Sequence, residues 1–297
     1  MNKIVIIGCG NVGMSYAYAL VNQKCNVDEL VLIDINKEKA EGEADDLNHS
    51  IPYSPNNMSI KAGDYSDCKG ASIVMIAAGA NQNIGETRLD LIHKNTAIFH
   101  SIISSVMASG FNNIFLIATN PVDAMSYITY EHSCLPASKI IGTGTSLDTA
   151  RLRYLLSRKF EISPKNVHAY VLGEHGDSEF VAWSSAMIGS VKIDTMLTQE
   201  EKNTISEEVK NSAYEIIKKK GNTSYGIGMC LVRITNAILN DENAIITVSA
   251  LDKDTYISSP CIINSKGLKR RLKIDLNKEE QVLYNKSKEV IKNSLEC

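Results

Sequence analysis

Short apolar runs rich in β-branched residues alternate with longer helical patterns through the first half of the chain. Each run is apolar at nearly every position, which predicts a strand that is buried on both faces. The predicted strands run from Lys3 to Ile7, Glu29 to Ile33, Met58 to Ala62, Ser72 to Ala77, Asn113 to Ala118 and Lys139 to Ile141. Helical patterns fill the gaps, and crossovers between parallel strands are right-handed. The pattern therefore predicts an α/β fold that begins with a doubly wound parallel sheet of the Rossmann type.

The rhythm of the pattern changes after residue 144. The predicted elements there are a helix from Asp148 to Phe160, strands near Val167 to Leu172, helices from Glu200 to Lys220 and from Ser224 to Asn240, strands from Ala244 to Ser249, Tyr256 to Ile263 and Leu272 to Ile274, and a final helix from Lys278. This order is typical of an α+β domain. We therefore expect a Rossmann domain over 1–143 and an α+β catalytic and oligomerisation domain over 144–297.

The composition is that of an ordinary globular protein, with 297 residues, 44% hydrophobic residues and a net charge of -3. This charge gives no electrostatic reason to expect a nucleic acid or an anionic membrane as partner. No run approaches the ~20 apolar residues of a membrane span. The seven cysteines include no CxxC pair and the six histidines no HExxH spacing, so we expect neither disulfides nor a metal. A reducing, cytoplasmic location is the expectation that follows.

A glycine-rich turn lies between the first predicted strand and the first helix. Gly8, Gly10 and Gly13 form a GxGxxG pattern, which allows a tight turn, a close approach of the backbone to a pyrophosphate, and close packing of helix on strand. Asp34 ends the second predicted strand, where an acid accepts hydrogen bonds from an adenosine ribose and repels a 2′-phosphate. The pattern thus predicts NAD rather than NADP, although an Asp34 that merely caps the next helix is the alternative.

His175 lies in the segment Gly173-Glu174-His175-Gly176-Asp177, directly after an apolar run. Histidine can both give and take a proton near pH 7, so an exposed imidazole at a tight turn is a candidate acid and base. Asp148 and Arg151 are three residues apart and project from one helical face. We expect Asp148 to orient His175 and Arg151 to bind a substrate carboxylate, with a structural Asp/Arg pair as the alternative.

Two further candidates follow predicted strands. Arg88 comes after the polar stretch 81–87, whose composition suits a lid that closes over the substrate and brings a cation to its carbonyl oxygen. Asn120 ends the strand before Pro121 and is placed to donate to the same oxygen. Each of them taken singly also fits an ordinary surface loop.

Together these motifs resemble the L-lactate and malate dehydrogenase family over essentially the whole chain, and its bacterial L-lactate dehydrogenase branch most closely. The motifs that carry the resemblance are Gly8 to Gly13, Gly79 through Arg88, Thr119 to Asp123, Asp148 to Arg151, Gly173 to Asp177 and Thr223 to Ile227. Six motifs in the family's order are far more specific than any one of them.

The resemblance implies a role for each candidate. His175 would donate and accept the proton with Asp148 as its partner, Arg151 would bind the carboxylate, and Arg88 would polarise the carbonyl. Asn120 would contact substrate and nicotinamide, and Thr223 would line the substrate pocket. The implied cofactor contacts are Gly8, Gly10, Val12, Gly13, Asp34, Lys39, Tyr65, Gly79, Ala80, Ser101, Ala118, Thr119, Asn120, Thr143 and Ile227.

Substrate choice in this family depends on the lid position that Gln82 occupies, where malate dehydrogenases carry arginine. Burying the second carboxylate of a four-carbon diacid without a cation costs several kcal/mol, so Gln82 favours pyruvate and L-lactate. An L-2-hydroxyisocaproate-type dehydrogenase remains the alternative, since Phe180 to Trp183 resemble that branch. Malate dehydrogenase is a further alternative. A non-catalytic NAD sensor is the alternative from another class, against which the retained catalytic residues argue.

The resemblance also extends to regulation and assembly. Allosteric bacterial members bind fructose bisphosphate through an arginine two residues after the carboxylate-binding arginine and a histidine on the following strand. Arg153 and His168 occupy these positions. We therefore expect a fructose bisphosphate site and a homotetramer.

Overall fold

The structure, a computed structural model, describes residues 1–80 and 88–295, and of 88–90 the helical backbone without the side chains. Its first half alternates strands and helices. The strands are β1 (Lys3–Ile7), β2 (Glu29–Ile33), β3 (Ser59–Ala62), β4 (Ile73–Ile76), β5 (Ile114–Ile117) and β6 (Ile140–Gly142). The helices are α1 (Asn11–Asn22), α2 (Lys37–Ser50), α3 (Arg88–Ala108) and α4 (Val122–Ser133). The bounds of the six strands agree with the predicted strands to within a few residues.

The second half contains longer helices and shorter strands. The helices are α5 (Ser146–Lys159), α6 (Gln199–Lys220), α7 (Tyr225–Leu239) and α8 (Lys278–Leu295). The strands are β7 (Val167–His168), β8 (Val171–Leu172), β9 (Phe180–Val181), β10 (Met187–Ile188), β11 (Val191–Lys192), β12 (Ala244–Asp252), β13 (Thr255–Asn264) and β14 (Gly267–Arg271). Among the described residues, no helix combines the length and apolar content that a membrane crossing requires.

The first six strands form a parallel sheet in the order β3-β2-β1-β4-β5-β6. Along β1 the side chains alternate between two apolar layers. Ile4 and Ile6 pack with residues such as Tyr16 of α1, whereas Val5 and Ile7 pack with residues such as Phe99 of α3. Helices therefore cover both faces, which explains why the strands read as continuous apolar runs. The predicted Rossmann-type parallel sheet followed by an α+β second half is confirmed.

The sheet continues beyond the parallel part. Strands β12, β13 and β14 add to it in antiparallel fashion, and Ser249 of β12 pairs with Gly142 of β6, which makes a nine-stranded sheet. The last strand is Gly267–Arg271 and not the predicted Leu272 to Ile274. Because this segment contains lysine and arginine, it lacks the hydrophobic pattern by which a strand is predicted from sequence. A strand at the edge of a sheet tolerates such charged residues because one side of it has no strand partner.

Parallel strands end at a common edge, and in folds of this type ligands bind beyond the carboxyl ends of the strands. The turns after β1, β2, β4 and β5 all lie at this edge. Gly173 attaches the segment after β8 to strand β13. Its N–H donates to the carbonyl of Ser258, and its carbonyl accepts from the Ser258 N–H.

Candidate active site

The turn between β1 and α1 uses its three glycines in different ways. Gly8 has φ +105°, a left-handed backbone that strains other residues, and a Cβ there would lie 2.5 Å from the backbone of Ala78. A Cβ on Gly13 would lie 2.0 Å from the Gly8 carbonyl oxygen. By contrast, a Cβ on Gly10 would meet nothing within 4 Å. The first and third glycines thus serve the turn and the packing, and the second leaves space at the first turn of α1, which fits a dinucleotide pyrophosphate.

Asp34 directly follows β2. One of its carboxylate oxygens accepts from the Cys9 N–H at 2.7 Å, and the other accepts from the Asn36 N–H at 2.9 Å. These bonds hold the carboxylate beside the glycine turn, where it fits a ribose diol and opposes a 2′-phosphate. Asn36 itself caps α2, since its side chain accepts from the Lys39 N–H.

The ends of β4 and β5 are joined by a buried residue that sequence reasoning missed. Asn95 of α3 accepts from the Ala80 N–H at 2.8 Å, and its amide group donates to the Asn120 carbonyl at 2.9 Å. Thr119 packs against Gly79, where a Cβ would lie 2.5 Å from the threonine methyl group. Helix α3 contains many other polar residues, so its sequence gives no signal that singles out Asn95.

His175 and Asp148 are in direct contact. Nδ1 of His175 lies 2.7 Å from Oδ2 of Asp148, whose side chain is 3% exposed. The enclosed position of the ring would lower the pKa of His175, but the charge and hydrogen bond of Asp148 outweigh it and raise that pKa to about 9. The ring is therefore held in its protonated form at neutral pH.

Arg151 shares the same carboxylate. A terminal nitrogen of its guanidinium lies 2.8 Å from Oδ1 of Asp148, one helical turn away on α5. Burial alone would raise the pKa of Asp148, yet the charges and hydrogen bonds of His175 and Arg151 hold it below its usual range. Asp148 is thus a buried anion between two cations.

The turn that carries His175 is fixed by residues that sequence reasoning did not assign to it. Asp123 of α4 accepts from the His175 N–H at 2.8 Å and from the Ser249 hydroxyl. Burial raises the pKa of Asp123 to about 6 against those two bonds. On the other side, the Glu174 N–H donates to the Ser287 hydroxyl at 2.6 Å, which anchors the turn to α8. The backbone around the imidazole is therefore held from two directions.

A cavity of about 520 Å³ lies between these residues and the glycine turn. The predicted site residues among its lining are Val12, Ala118, Asn120, Thr143, Asp148, Arg151, His175, Thr223 and Ile227. Glu179, which the sequence did not point to, lines the cavity as well. The polar atoms of Asp148, His175 and Glu179 all lie within 4.8 Å of one another.

Several predicted residues lie elsewhere. Lys39 is exposed on α2, Ser101 is exposed on α3 and Tyr65 is half-buried after β3, and the described lining of the cavity includes none of them. Their assignment as cofactor contacts stays a prediction. Gln82 and the side chain of Arg88 lie outside the described residues, so their roles remain expectations from the sequence.

The two predicted effector residues lie on neighbouring elements, α5 and β7. Arg153 of α5 is partly buried, with its guanidinium carbon 5.3 Å from the centroid of the Tyr170 ring, and its Nε donates to the Ala169 carbonyl at 3.3 Å. His168 directly precedes Ala169 and is exposed on β7.

Known proteins resemble the chain over its whole length. The family profile described as the lactate/malate dehydrogenase NAD binding domain matches residues 2–142, and the profile of the lactate/malate dehydrogenase alpha/beta C-terminal domain matches 145–297. The L-lactate dehydrogenase of Geobacillus sp. (strain WCH70) is 52% identical, covering 99% of this chain and 96% of that protein. The L-lactate dehydrogenase of Halalkalibacterium halodurans is also 52% identical, over 98% of this chain and 96% of that protein.

Solved structures agree with these relatives. A lactate dehydrogenase from a Medee basin deep-sea metagenome library superposes with a TM-score of 0.97 at 49% identity, covering 99% of this chain and 98% of that one. The minor L-lactate dehydrogenase of Enterococcus mundtii in its ligands-bound form superposes with a TM-score of 0.97 at 43% identity, with the same coverage. Because the two family profiles together match nearly the whole chain, the protein is an oxidoreductase that belongs to the lactate/malate dehydrogenase family.

Proposed function

We propose that the protein interconverts pyruvate and L-lactate with NAD as cofactor and His175 as general acid and base. The observation that carries the proposal is the contact of His175 with Asp148 at 2.7 Å in a cavity that Arg151 also lines. A proton carrier and a cation for the substrate carboxylate thus share one cavity with residues of the NAD-binding half, such as Val12 and Thr143.

The proposed role of each residue follows from its functional group. Because Nδ1 of His175 faces Asp148, its Nε2 is the nitrogen that gives a proton to the carbonyl oxygen of pyruvate, or takes one from the hydroxyl of lactate. A guanidinium has five N–H donors, so the ion pair with Asp148 leaves Arg151 further donors for the substrate carboxylate. Bound NADH supplies the hydride that reduces the carbonyl carbon. Enclosure in the cavity strengthens each of these charge interactions.

Pyruvate is the proposed substrate because Gln82 is neutral and because the relatives at 52% identity are named L-lactate dehydrogenases. A malate dehydrogenase needs a cation for the second carboxylate of its substrate. A 2-hydroxyisocaproate-type enzyme would accept the bulkier 2-ketoisocaproate.

One assay tests these alternatives together. NADH oxidation is followed by absorbance with pyruvate, oxaloacetate and 2-ketoisocaproate side by side, with His175→Asn as the inactive control. We expect the largest kcat/KM for pyruvate. A larger value for either other keto acid would replace the proposed substrate, and NADH binding without turnover of any of them would favour the NAD sensor.

We further propose that fructose bisphosphate activates the enzyme at Arg153 and His168. The support is a partly buried arginine on α5 and an exposed histidine on the neighbouring strand β7, two side chains whose positive charge suits a phosphate. The same assay, repeated with the sugar bisphosphate, tests it through the pyruvate concentration at half-saturation.

A homotetramer in a reducing cytoplasm completes the proposal. Large apolar side chains that are exposed on α1 and α7, including Tyr18, Tyr225 and Met229, are suited to subunit contacts. The described cysteines are free thiols, which fits a reducing compartment. Light scattering coupled to size exclusion gives the mass in solution, and a monomer would contradict the assembly.

A further inference from the structure

A second carboxyl group lies against the catalytic pair. Glu179 directly precedes β9, and its carboxyl group lies within 4.8 Å of both the Asp148 carboxylate and the His175 ring. It also lies between two cavities, because it lines both the catalytic one and a second of about 330 Å³ beside α6 and α8. No step of the proposed reaction uses this group.

Two carboxyl groups in contact do not both ionise without a large cost, so one of them holds a proton. Asp148 faces His175 and Arg151 and is the one that keeps its charge. Burial first, and then the negative charge of Asp148, raise the pKa of Glu179 well above its usual range.

The other charges around Glu179 do not reverse this assignment. The ionisable groups that line the two cavities, besides Asp148, Arg151 and His175, are Asp177, Asp194, Lys202, Glu207, Lys210, Tyr214, Glu279 and Glu280. Two of them are basic, and of these Lys202 is already ion-paired with Asp194. Carboxylates outnumber the remaining cation, Lys210. The charges of His175 and Arg151 lower the pKa of Glu179, but burial and the charge of Asp148 outweigh them.

We propose that Glu179 is a positioning residue that carries a proton in the resting enzyme and donates a hydrogen bond from its carboxylic acid to the Asp148 carboxylate. The inference rests on the proposed function, in which Asp148 orients His175. A neutral donor fixes the carboxylate and adds no charge. With Glu179 neutral, the two cations His175 and Arg151 outweigh the single anion Asp148, and this net positive charge suits an anionic keto acid. An ionised Glu179 would cancel it.

The two states of Glu179 predict different behaviour of Glu179→Gln, which is neutral and keeps an N–H donor of similar size. If Glu179 is a neutral donor, this variant keeps kcat/KM for pyruvate within about twofold, and the pH at which the activity falls stays at its wild-type value. Glu179→Ala removes the hydrogen-bond donor, so the Asp148 carboxylate stabilises the His175 cation more strongly. That variant is expected to lose about tenfold in kcat/KM and to move the alkaline limb upward by about half a pH unit.

Two outcomes would overturn the inference. If Glu179→Gln moves the alkaline limb downward by about one unit, the native group is an anion that supports the charge of His175. If Glu179→Ala has the same pH profile as Glu179→Gln, no donor to Asp148 is needed. A residue that merely fills space would change the melting temperature of the variants without moving the limb.

Infrared spectroscopy provides a measurement that depends neither on catalytic activity nor on whether Glu179→Ala folds. The difference spectrum of wild type minus Glu179→Gln at neutral pH is expected to contain the C=O stretch of a protonated carboxylic acid. A difference spectrum with carboxylate bands instead would contradict the inference. Absence of activity with pyruvate would contradict the proposed reaction but would not change the infrared result. Absence of the carboxylic acid band would contradict the proposal for Glu179 but not the reaction, so the two failures are distinguishable.

Discussion

Oδ2 of Asp148 lies 2.7 Å from Nδ1 of His175, although 27 residues separate the two in the chain. Helix α5 supplies the carboxylate, and the turn after β8 supplies the imidazole. Because Asp148 also pairs with Arg151, one buried anion sets the charge of His175, the proposed proton carrier, and holds Arg151, the cation proposed to bind the substrate.

The rate of each direction should depend on pH through His175. Reduction of pyruvate needs the protonated imidazole, which is present below a pKa of about 9 and is lost above it. Oxidation of lactate needs the neutral imidazole, so its kcat/KM should rise through the same range. Profiles of kcat/KM for both substrates, measured from about pH 6 to about pH 10, check this. Parallel profiles in the two directions would contradict it.

Replacing Asp148 by asparagine should remove the charge that stabilises the His175 cation. We expect kcat/KM for pyruvate to fall by about 10²-fold or more and the alkaline limb to move down toward the ordinary histidine pKa of roughly 6.5. Asp275→Asn is the matched control, since this exposed residue makes the same chemical change away from the cavity lining. An Asp148→Asn enzyme whose limb stays near pH 9 would show that another group holds the charge on His175.

Alanine at two glycines of the same turn should separate folding from cofactor binding. At Gly13 the new methyl group meets the Gly8 carbonyl oxygen at 2.0 Å, so we expect a loss of about 1–3 kcal/mol in the free energy of unfolding. At Gly10 the methyl group meets nothing within 4 Å, so stability should hold while NADH affinity falls. Thermal melting and NADH fluorescence titration measure the two effects. Tight NADH binding by Gly10→Ala would mean that the pyrophosphate lies elsewhere.

A cation at position 82 should change the preferred keto acid. We expect Gln82→Arg to raise the ratio of kcat/KM for oxaloacetate to that for pyruvate by orders of magnitude, because the guanidinium neutralises the second carboxylate. Gln82→Leu serves as the neutral control and should not raise it. The ratio measured for the three enzymes decides, and an unchanged ratio in Gln82→Arg would remove this position as the determinant.

Activation by fructose bisphosphate should depend on Arg153 and His168. In the wild type we expect the sugar bisphosphate to lower the pyruvate concentration at half-saturation, and Arg153→Gln or His168→Gln should abolish this shift. Arg158→Gln, an exposed arginine on the same helix, is the control that should keep it. Saturation curves with and without the effector measure the effect. Identical wild-type curves would reject the proposal.

The local sequence pattern determined much of the fold and part of the candidate site of this protein. Burial on both faces makes the inner parallel strands nearly continuous apolar runs, so the order of strands and helices up to Gly142 follows from the sequence pattern directly. Asp148 and Arg151 share a helix face by spacing alone, and their ion pair has that origin. The glycine turn likewise follows from its position between strand and helix, and the resemblance to one family followed from the order of the motifs.

Tertiary structure decided what local pattern does not encode. The charged edge strand Gly267–Arg271 has no apolar alternation to reveal it, and it is fixed by its pairing with β13. Asn95 and Asp123 position the site through bonds to distant backbone groups. In the same way Glu179 is one acid among many in the sequence. Its place beside Asp148 depends on the pairing of β9 with β8, which contacts α5, and whether it carries a proton depends on desolvation and neighbouring charge, which exist once the chain is folded.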